Sequence, residues 1–209
     1  MLEVGSKKFF EAYAKISLID IYNPELKNAE LLECPDIQDC TNSIGVEVTA
    51  IPNKQRFMAA KIAKKCFNKE LDLDDINAIV SEDFKSFNGV IFELEGRKYI
   101  SSSKGYEDFS GKIDSIAEII LKKVDKFNNN YKRFNENDLY IFCHNANFTV
   151  NDITKIVERI DLNAFPYNKV FFNCIDKIYL FDLKQVNQIN ISLEKLEKYK
   201  QCAINYSDI

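Results

Sequence analysis

A mixed α/β fold is what the sequence predicts, and three observations predict it. Amphipathic stretches with helical spacing alternate with short β-branched runs along the whole chain. Several runs come in pairs joined by tight turn signals, as hairpins do. One run, Leu139 to Cys143 (LYIFC), is apolar throughout, the pattern of a strand covered on both faces. Together they specify a helix-flanked sheet. At 209 residues and 24.2 kDa, with 46% hydrophobic and 29% charged residues, the chain can build one sizeable core. It carries few Gly and Pro and no linker-like stretch, so one domain over residues 1–209 is expected, with a core over about 6–145 and an extension over 146–209.

The first helix is expected over about 6–21, with Phe9, Tyr13 and Ile16 on its apolar side and Asn23-Pro24 ending it. Glu11 lies on that helix among Lys7, Lys8 and Lys15, and its structural role is an i,i+4 pair with Lys15. A hairpin follows, with strands at 33–38 and 44–51. Asp39, Thr41, Asn42 and Ser43 form the turn, because their side chains bond to nearby backbone. Asn53 caps a helix over 54–67 whose one face is apolar and whose other face carries Lys54, Lys61, Lys64 and Lys65. A second helix spans 71–87, acidic at its start. Strands at 89–94 and 97–101 turn at Glu95-Gly96, and a loop-like segment containing Lys104 runs to 111.

The cleanest helical stripe is Ile113, Ile116, Ala117, Ile120, Leu121 and Val124, with Lys122, Lys123 and Lys126 towards the C-terminal end. Thr149 and Asp152 make a capping box for a helix to Ile160. Strands at 170–175 and 178–183 follow, and Ser192 caps a last helix.

Net charge is −4 with a pI near 5.2, so attraction through overall charge does not bring this chain to nucleic acid; a local basic patch must do so. No apolar run approaches a membrane span, and MLEVGSKKFFEAYAKI lacks the continuous apolar core of a signal peptide. A cytoplasmic location is the expectation. The six cysteines are scattered without a CxxC, and reduced, mostly buried thiols are expected rather than zinc ligands. His144 ends the LYIFC strand; its adjacency to Cys143 puts the two on opposite faces, which argues against a nucleophile–base pair and for a loop cap.

Two acids interrupt the otherwise apolar hairpin: Asp36 in the first strand and Glu47 in the second. A hairpin can bring them together, and side-chain alternation points Glu47 and Thr49 away from Val46 and Val48. Carboxylates held close in a partly buried place stay ionised only beside a cation. Oxygen ligands that leave positions to water suit Mg²⁺ or Mn²⁺, which can activate water beside a phosphate. The structural alternative is a turn residue at Asp36 and a solvent-facing edge charge at Glu47.

Pro35-Asp36, ten intervening residues, then Glu47-Val48-Thr49 resembles the PD-(D/E)xK nuclease superfamily. Gly45-Val46-Glu47-Val48-Thr49 is similar to the GIEVT signature of bacterial members of it. The resemblance covers about the first 145 residues. It implies a restriction-endonuclease-like core in helix–three strands–helix–strand order, here 6–21, 33–38, 44–51, 89–94, 111–127 and 139–143, with inserted helices over 54–87 and C-terminal additions. It implies a metal-dependent enzyme hydrolysing phosphodiester bonds in DNA or RNA. Asp36 and Glu47 resemble its metal-binding acids, the Val48 carbonyl a backbone ligand, and Glu11 the additional acid of the first helix. The metal would be Mg²⁺ or Mn²⁺. The pattern departs where the motif lysine should stand, at Thr49, since a hydroxyl carries no positive charge. Members that recruit a lysine from a neighbouring helix point to Lys61, Lys64 or Lys65, and secondarily Lys122, as substitutes. The alternative is a catalytically silent module that binds nucleic acid or protein. A dimer is compatible with either reading.

Overall fold

The computed structural model describes residues 2–3, 6–51, 54–67, 69–102, 109–143 and 148–206. Its elements run α1 (Lys7–Ile21), β1 (Glu30–Leu31), β2 (Ile37–Asp39), β3 (Ile44–Ala50), α2 (Lys54–Cys66), α3 (Leu73–Asp83), β4 (Gly89–Leu94), β5 (Arg97–Ser102), α4 (Phe109–Asn130), β6 (Glu136–Phe142), α5 (Val150–Val157), β7 (Lys169–Asn173), β8 (Lys177–Phe181), β9 (Val186–Asn190) and α6 (Leu193–Ile204). The chain divides into two compact units, residues 1–51 with 110–209, and residues 52–109.

The first unit is built on a seven-stranded mixed sheet in the order β1-β2-β3-β6-β7-β8-β9. β1, β2 and β3 form an antiparallel meander, β3, β6 and β7 are parallel, and β8 and β9 return antiparallel. Parallel neighbours need a crossover, and α5 supplies the one between β6 and β7. Helices cover both faces. Ala14 and Leu18 of α1 pack with Val46, Val48 and Tyr140, joined by Tyr199 of α6. Ile116 and Ile120 of α4 and Ile153 and Ile156 of α5 pack on the other face with Leu139, Ile141 and Phe172. Burial on both sides explains why Leu139 to Phe142 of β6 read as a continuous apolar run.

The ends of the helices follow their caps. Ser6 opens α1, Ser192 opens α6, and Thr149 and Asp152 exchange both bonds of a capping box at α5. That helix stops at Val157, short of Ile160.

The second unit packs α2 and α3 on the hairpin β4–β5 around Ile62, Cys66, Ile76 and Ile91. Its turn places both Glu95 and Gly96 at positive φ, 51° and 71°, as a two-residue hairpin of this hand requires. Strand 89–94 therefore pairs within this unit and is not the third strand of the main sheet. That place belongs to the two-residue β1, too short to leave an alternating pattern in the sequence. The expected extension over 146–209 contributes three strands to the main sheet and a helix, α6, packed beside α1.

Asn53, Lys104 and His144, singled out in the sequence, lie outside the described residues. Among the described residues no helix is long and apolar enough to cross a membrane.

Candidate functional site

The register of the meander builds the site. Ile37 of β2 lies opposite Val46 of β3, and one step further along the same register sets Asp36 opposite Glu47. The Ile51 N–H donates to the Phe142 carbonyl, so odd residues of β3 turn their backbone groups towards β6 and even residues towards β2. Val48 lies past the end of β2. Its N–H therefore donates to Asp36 Oδ2, at 2.8 Å, in place of a ladder partner. Its carbonyl points to the same side, towards Asp36.

Gly45 is needed beneath this arrangement. A Cβ there would stand 2.8 Å from the Pro35 ring and 2.6 Å from the Phe134 ring. Proline 35 can lie on β3, and hold Asp36 beside Val48, only because residue 45 has no side chain.

Two helices on opposite faces deliver cations to the two acids. Glu47 is 4% exposed and faces α4. Lys123 Nζ stands 2.5 Å from Glu47 Oε1, and the Tyr131 hydroxyl donates to the same oxygen at 2.6 Å. From α1, Lys7 Nζ lies 3.2 Å from Asp36 Oδ1, 3.3 Å from Glu11 Oε1 and 2.6 Å from Glu33 Oε2. Together Lys7, Lys123, Lys126, Glu33, Asp36 and Glu47 line a pocket of about 310 Å³, with Val48, Cys34 and Tyr131.

The acids feel one another. Burial, then the charge of Asp36, raises the Glu47 carboxyl above its ordinary range, with Lys123 and Tyr131 pulling the other way. The same two causes push Glu11 up to about 7 against the opposing pull of Lys7. Glu11 Oε1 is buried and, beyond its ion pair with Lys7, has no hydrogen-bond partner. The Tyr131 hydroxyl is raised by burial and by its bond to the Glu47 carboxylate. Glu33, fully at the surface, is lowered by Lys7.

Of the residues singled out from sequence, Asp36, Glu47 and Val48 line the pocket, and Glu11 reaches it through Lys7. Glu11 does not pair with Lys15. That lysine is itself buried and spends its ammonium on the Ala29 carbonyl at 2.5 Å and the Tyr206 hydroxyl at 3.2 Å. Thr49 sits two residues beyond Glu47, beside Ile141 of β6, and does not line the pocket. Lys61, Lys64 and Lys65 belong to the second unit, where Lys65 pairs with Asp83, whereas every lining residue of the pocket comes from the first. Lys122 faces solvent.

Sequence reasoning passed over Lys123, Tyr131 and Lys7 as site residues. The signal for Lys123 was present: it falls seven after Ile116 and three after Ile120, inside the apolar stripe, where a charge is out of place. The cysteines also differ from expectation. Cys66, Cys143 and Cys174 are buried, but Cys34, Cys40 and Cys202 are exposed, and all six are free thiols. Cys34 lies in the connection between β1 and β2 and Cys40 directly after β2.

Among the described residues no group of three or more His, Cys, Asp or Glu side chains converges to hold a metal ion. The buried carboxylates of Asp36 and Glu47 and the Val48 carbonyl, with Glu33 at the surface, are what the pocket offers a cation. Comparison with protein-family models, curated proteins and solved structures finds no match to this chain.

Proposed function

We propose that the pocket around Asp36 and Glu47 is a metal-dependent phosphodiesterase site of the PD-(D/E)xK type, acting on nucleic acid. The observation that carries the reading is the Lys123 ammonium on the Glu47 carboxylate. It provides, from the neighbouring helix, the positive charge that Thr49 cannot. Element order supports the same reading: α1, the β1–β2–β3 meander, α4 and parallel β6, with residues 52–109 inserted between β3 and α4.

A divalent ion fits the chemistry of the donors. Burial and the charge of Asp36 hold the Glu47 and Glu11 carboxyls above their ordinary range, so added positive charge is favourable there, and Glu11 keeps a buried oxygen without a hydrogen bond. Around the pocket three lysines face three carboxylates, with Glu11 behind. A divalent ion leaves the site net positive, suited to a phosphodiester monoanion. Asp36, Glu47 and the Val48 carbonyl are the groups that would hold Mg²⁺ or Mn²⁺, with the remaining positions left to water. Such an ion lowers the pKa of bound water and neutralises charge on the scissile phosphate. Lys123 and Tyr131 hold the Glu47 carboxylate in one orientation, and Lys123 can also hydrogen-bond an attacking water. Lys7 fixes Asp36, and Lys126 adds positive charge at the rim.

One observation favours the silent alternative: the lysines already neutralise both acids without a metal. Cleavage of single- and double-stranded DNA and RNA in Mg²⁺ or Mn²⁺ separates the two. The enzyme reading expects metal-dependent cleavage that disappears in Glu47→Gln and Lys123→Met and persists in Lys122→Met. No cleavage with any substrate, or cleavage indifferent to Glu47→Gln, sinks it. Salt-sensitive binding without cleavage identifies the module.

A further inference from the structure

The two edges of the main sheet are treated differently. β1 is two residues long, and short edge strands resist unwanted pairing. β9, the other edge, is Val186-Asn187-Gln188-Ile189-Asn190, without a charge or a proline. The Ile191 N–H donates to Asp176, and the Asp182 N–H to Gln185, which fixes odd residues of β9 inward towards β8. The N–H and C=O groups of Val186, Gln188 and Asn190 therefore point out of the sheet. β9 thus carries neither a charge nor a proline, and its register with β8 runs without a bulge.

We propose that β9 pairs antiparallel with β9 of a second copy of this chain, about a two-fold axis at Gln188. That axis sets Val186 against Asn190 of the partner subunit in hydrogen-bonded register, and Gln188 against its own equivalent. The flanks are self-complementary in the same register. Leu193, 82% exposed at the start of α6, lies five residues after Gln188; Leu183, 37% exposed in the β8–β9 turn, lies five before it. Continued past the strand ends, that register sets Leu183 level with Leu193 of the partner subunit. Exposed Lys184 is carried at the same end to the exposed Glu194 of the partner subunit. Isologous contacts demand this kind of reciprocity.

The pairing leaves the pocket at the other side of the sheet uncovered. Four strand spacings separate β3 from β9 in each copy, so with one across the axis the two pockets stand about 43 Å apart along the sheet at about 4.8 Å per spacing.

Sedimentation velocity over a concentration series tests this on the whole chain. The expected species is twice the 24.2 kDa chain mass. Leu193→Asp, at an exposed side chain, weakens the dimer by about tenfold or more, as loss of an interface anchor does. Lys184→Glu weakens it as well, and Lys184→Glu with Glu194→Lys restores it. Gln188→Pro abolishes it where circular dichroism shows the fold intact. A chain that stays monomeric throughout, or a dimer unchanged by Leu193→Asp and Lys184→Glu, overturns the proposal.

Discussion

Lys123 on α4 puts its ammonium 2.5 Å from the Glu47 carboxylate on β3, across 76 residues of chain. Both side chains are largely withdrawn from water, 16% and 5% exposed. The ion pair is therefore little screened, and removing one partner leaves the other charge uncompensated.

Lys123→Met accordingly costs about 3 kcal/mol of stability near pH 8. The loss shrinks towards pH 5, because an unpaired Glu47 escapes it by taking up a proton. Urea unfolding at the two pH values checks this. A ¹³C-detected titration of Glu47 should move further upward in the variant, since burial and Asp36 are then opposed by Tyr131 alone.

Tyr131→Phe removes one hydrogen bond to the same oxygen and nothing else of the ring. The expected loss is about 1.5–3 kcal/mol, the range for a bond to a charged acceptor. If the proposed activity holds, cleavage should fall with it while nucleic-acid affinity stays, because Tyr131 orients Glu47 rather than touching phosphate. Comparing binding with single-turnover cleavage separates those two quantities.

How much of this was legible in the sequence depends on whether the cause was local. The hairpin carrying Asp36 and Glu47 could be read because turn chemistry and alternation are set by neighbours in the chain. The capping box at Thr149 and Asp152 was legible for the same reason. The hairpin over 89–101 was legible too, but not its separation from the main sheet, since β1, which takes the third place there, is too short to leave a pattern. Lys123 beside Glu47 went unread because sequence proximity drew attention to α2, which follows β3 directly. Tertiary packing instead brings α4 over the Glu47 face. β9 went unread: Asn187, Gln188 and Asn190 are polar at an edge strand, where half the ladder faces water.

Gly45→Ala tests the packing that holds Asp36. The new methyl meets two rings at 2.6 and 2.8 Å, and both belong to side chains with little freedom to retreat. Overpacking of this kind costs about 1–3 kcal/mol. Phe134→Leu in the same chain relieves one contact and should return part of it. Thermal unfolding of the single and double variants checks the order.

Glu11 gives the fold a pH dependence of unusual sign. Its carboxyl is pushed up to about 7 by burial and by Asp36, against an ordinary value of 4.5. Between those values the folded chain binds more protons than the unfolded one, so stability falls as pH rises. The contribution is complete below about pH 4.5 and gone above about pH 7. Screening through the Lys7 side leaves it at about 1–2 kcal/mol. Glu11→Gln should be more stable than the parent at pH 8, with a flatter profile from pH 5 to 8 in urea unfolding.

A divalent ion should reverse that slope. Mg²⁺ or Mn²⁺ at Asp36 and Glu47 stabilises ionised carboxylates, so its binding opposes the upward push that burial gives Glu47 and Glu11. Metal therefore binds more tightly at pH 8 than at pH 5.5, where protons compete for the same oxygens. At about a hundred times its dissociation constant the ion adds about 2.7 kcal/mol to the folded state. The gain in melting temperature should thus grow with pH in the parent chain and vanish in Glu47→Gln. Calorimetric titration should record proton release alongside binding at pH 5.5 and little at pH 8. A melting temperature that ignores Mn²⁺ at pH 8 would mean that Lys7 and Lys123 alone neutralise the acids, leaving a binding module without its ion.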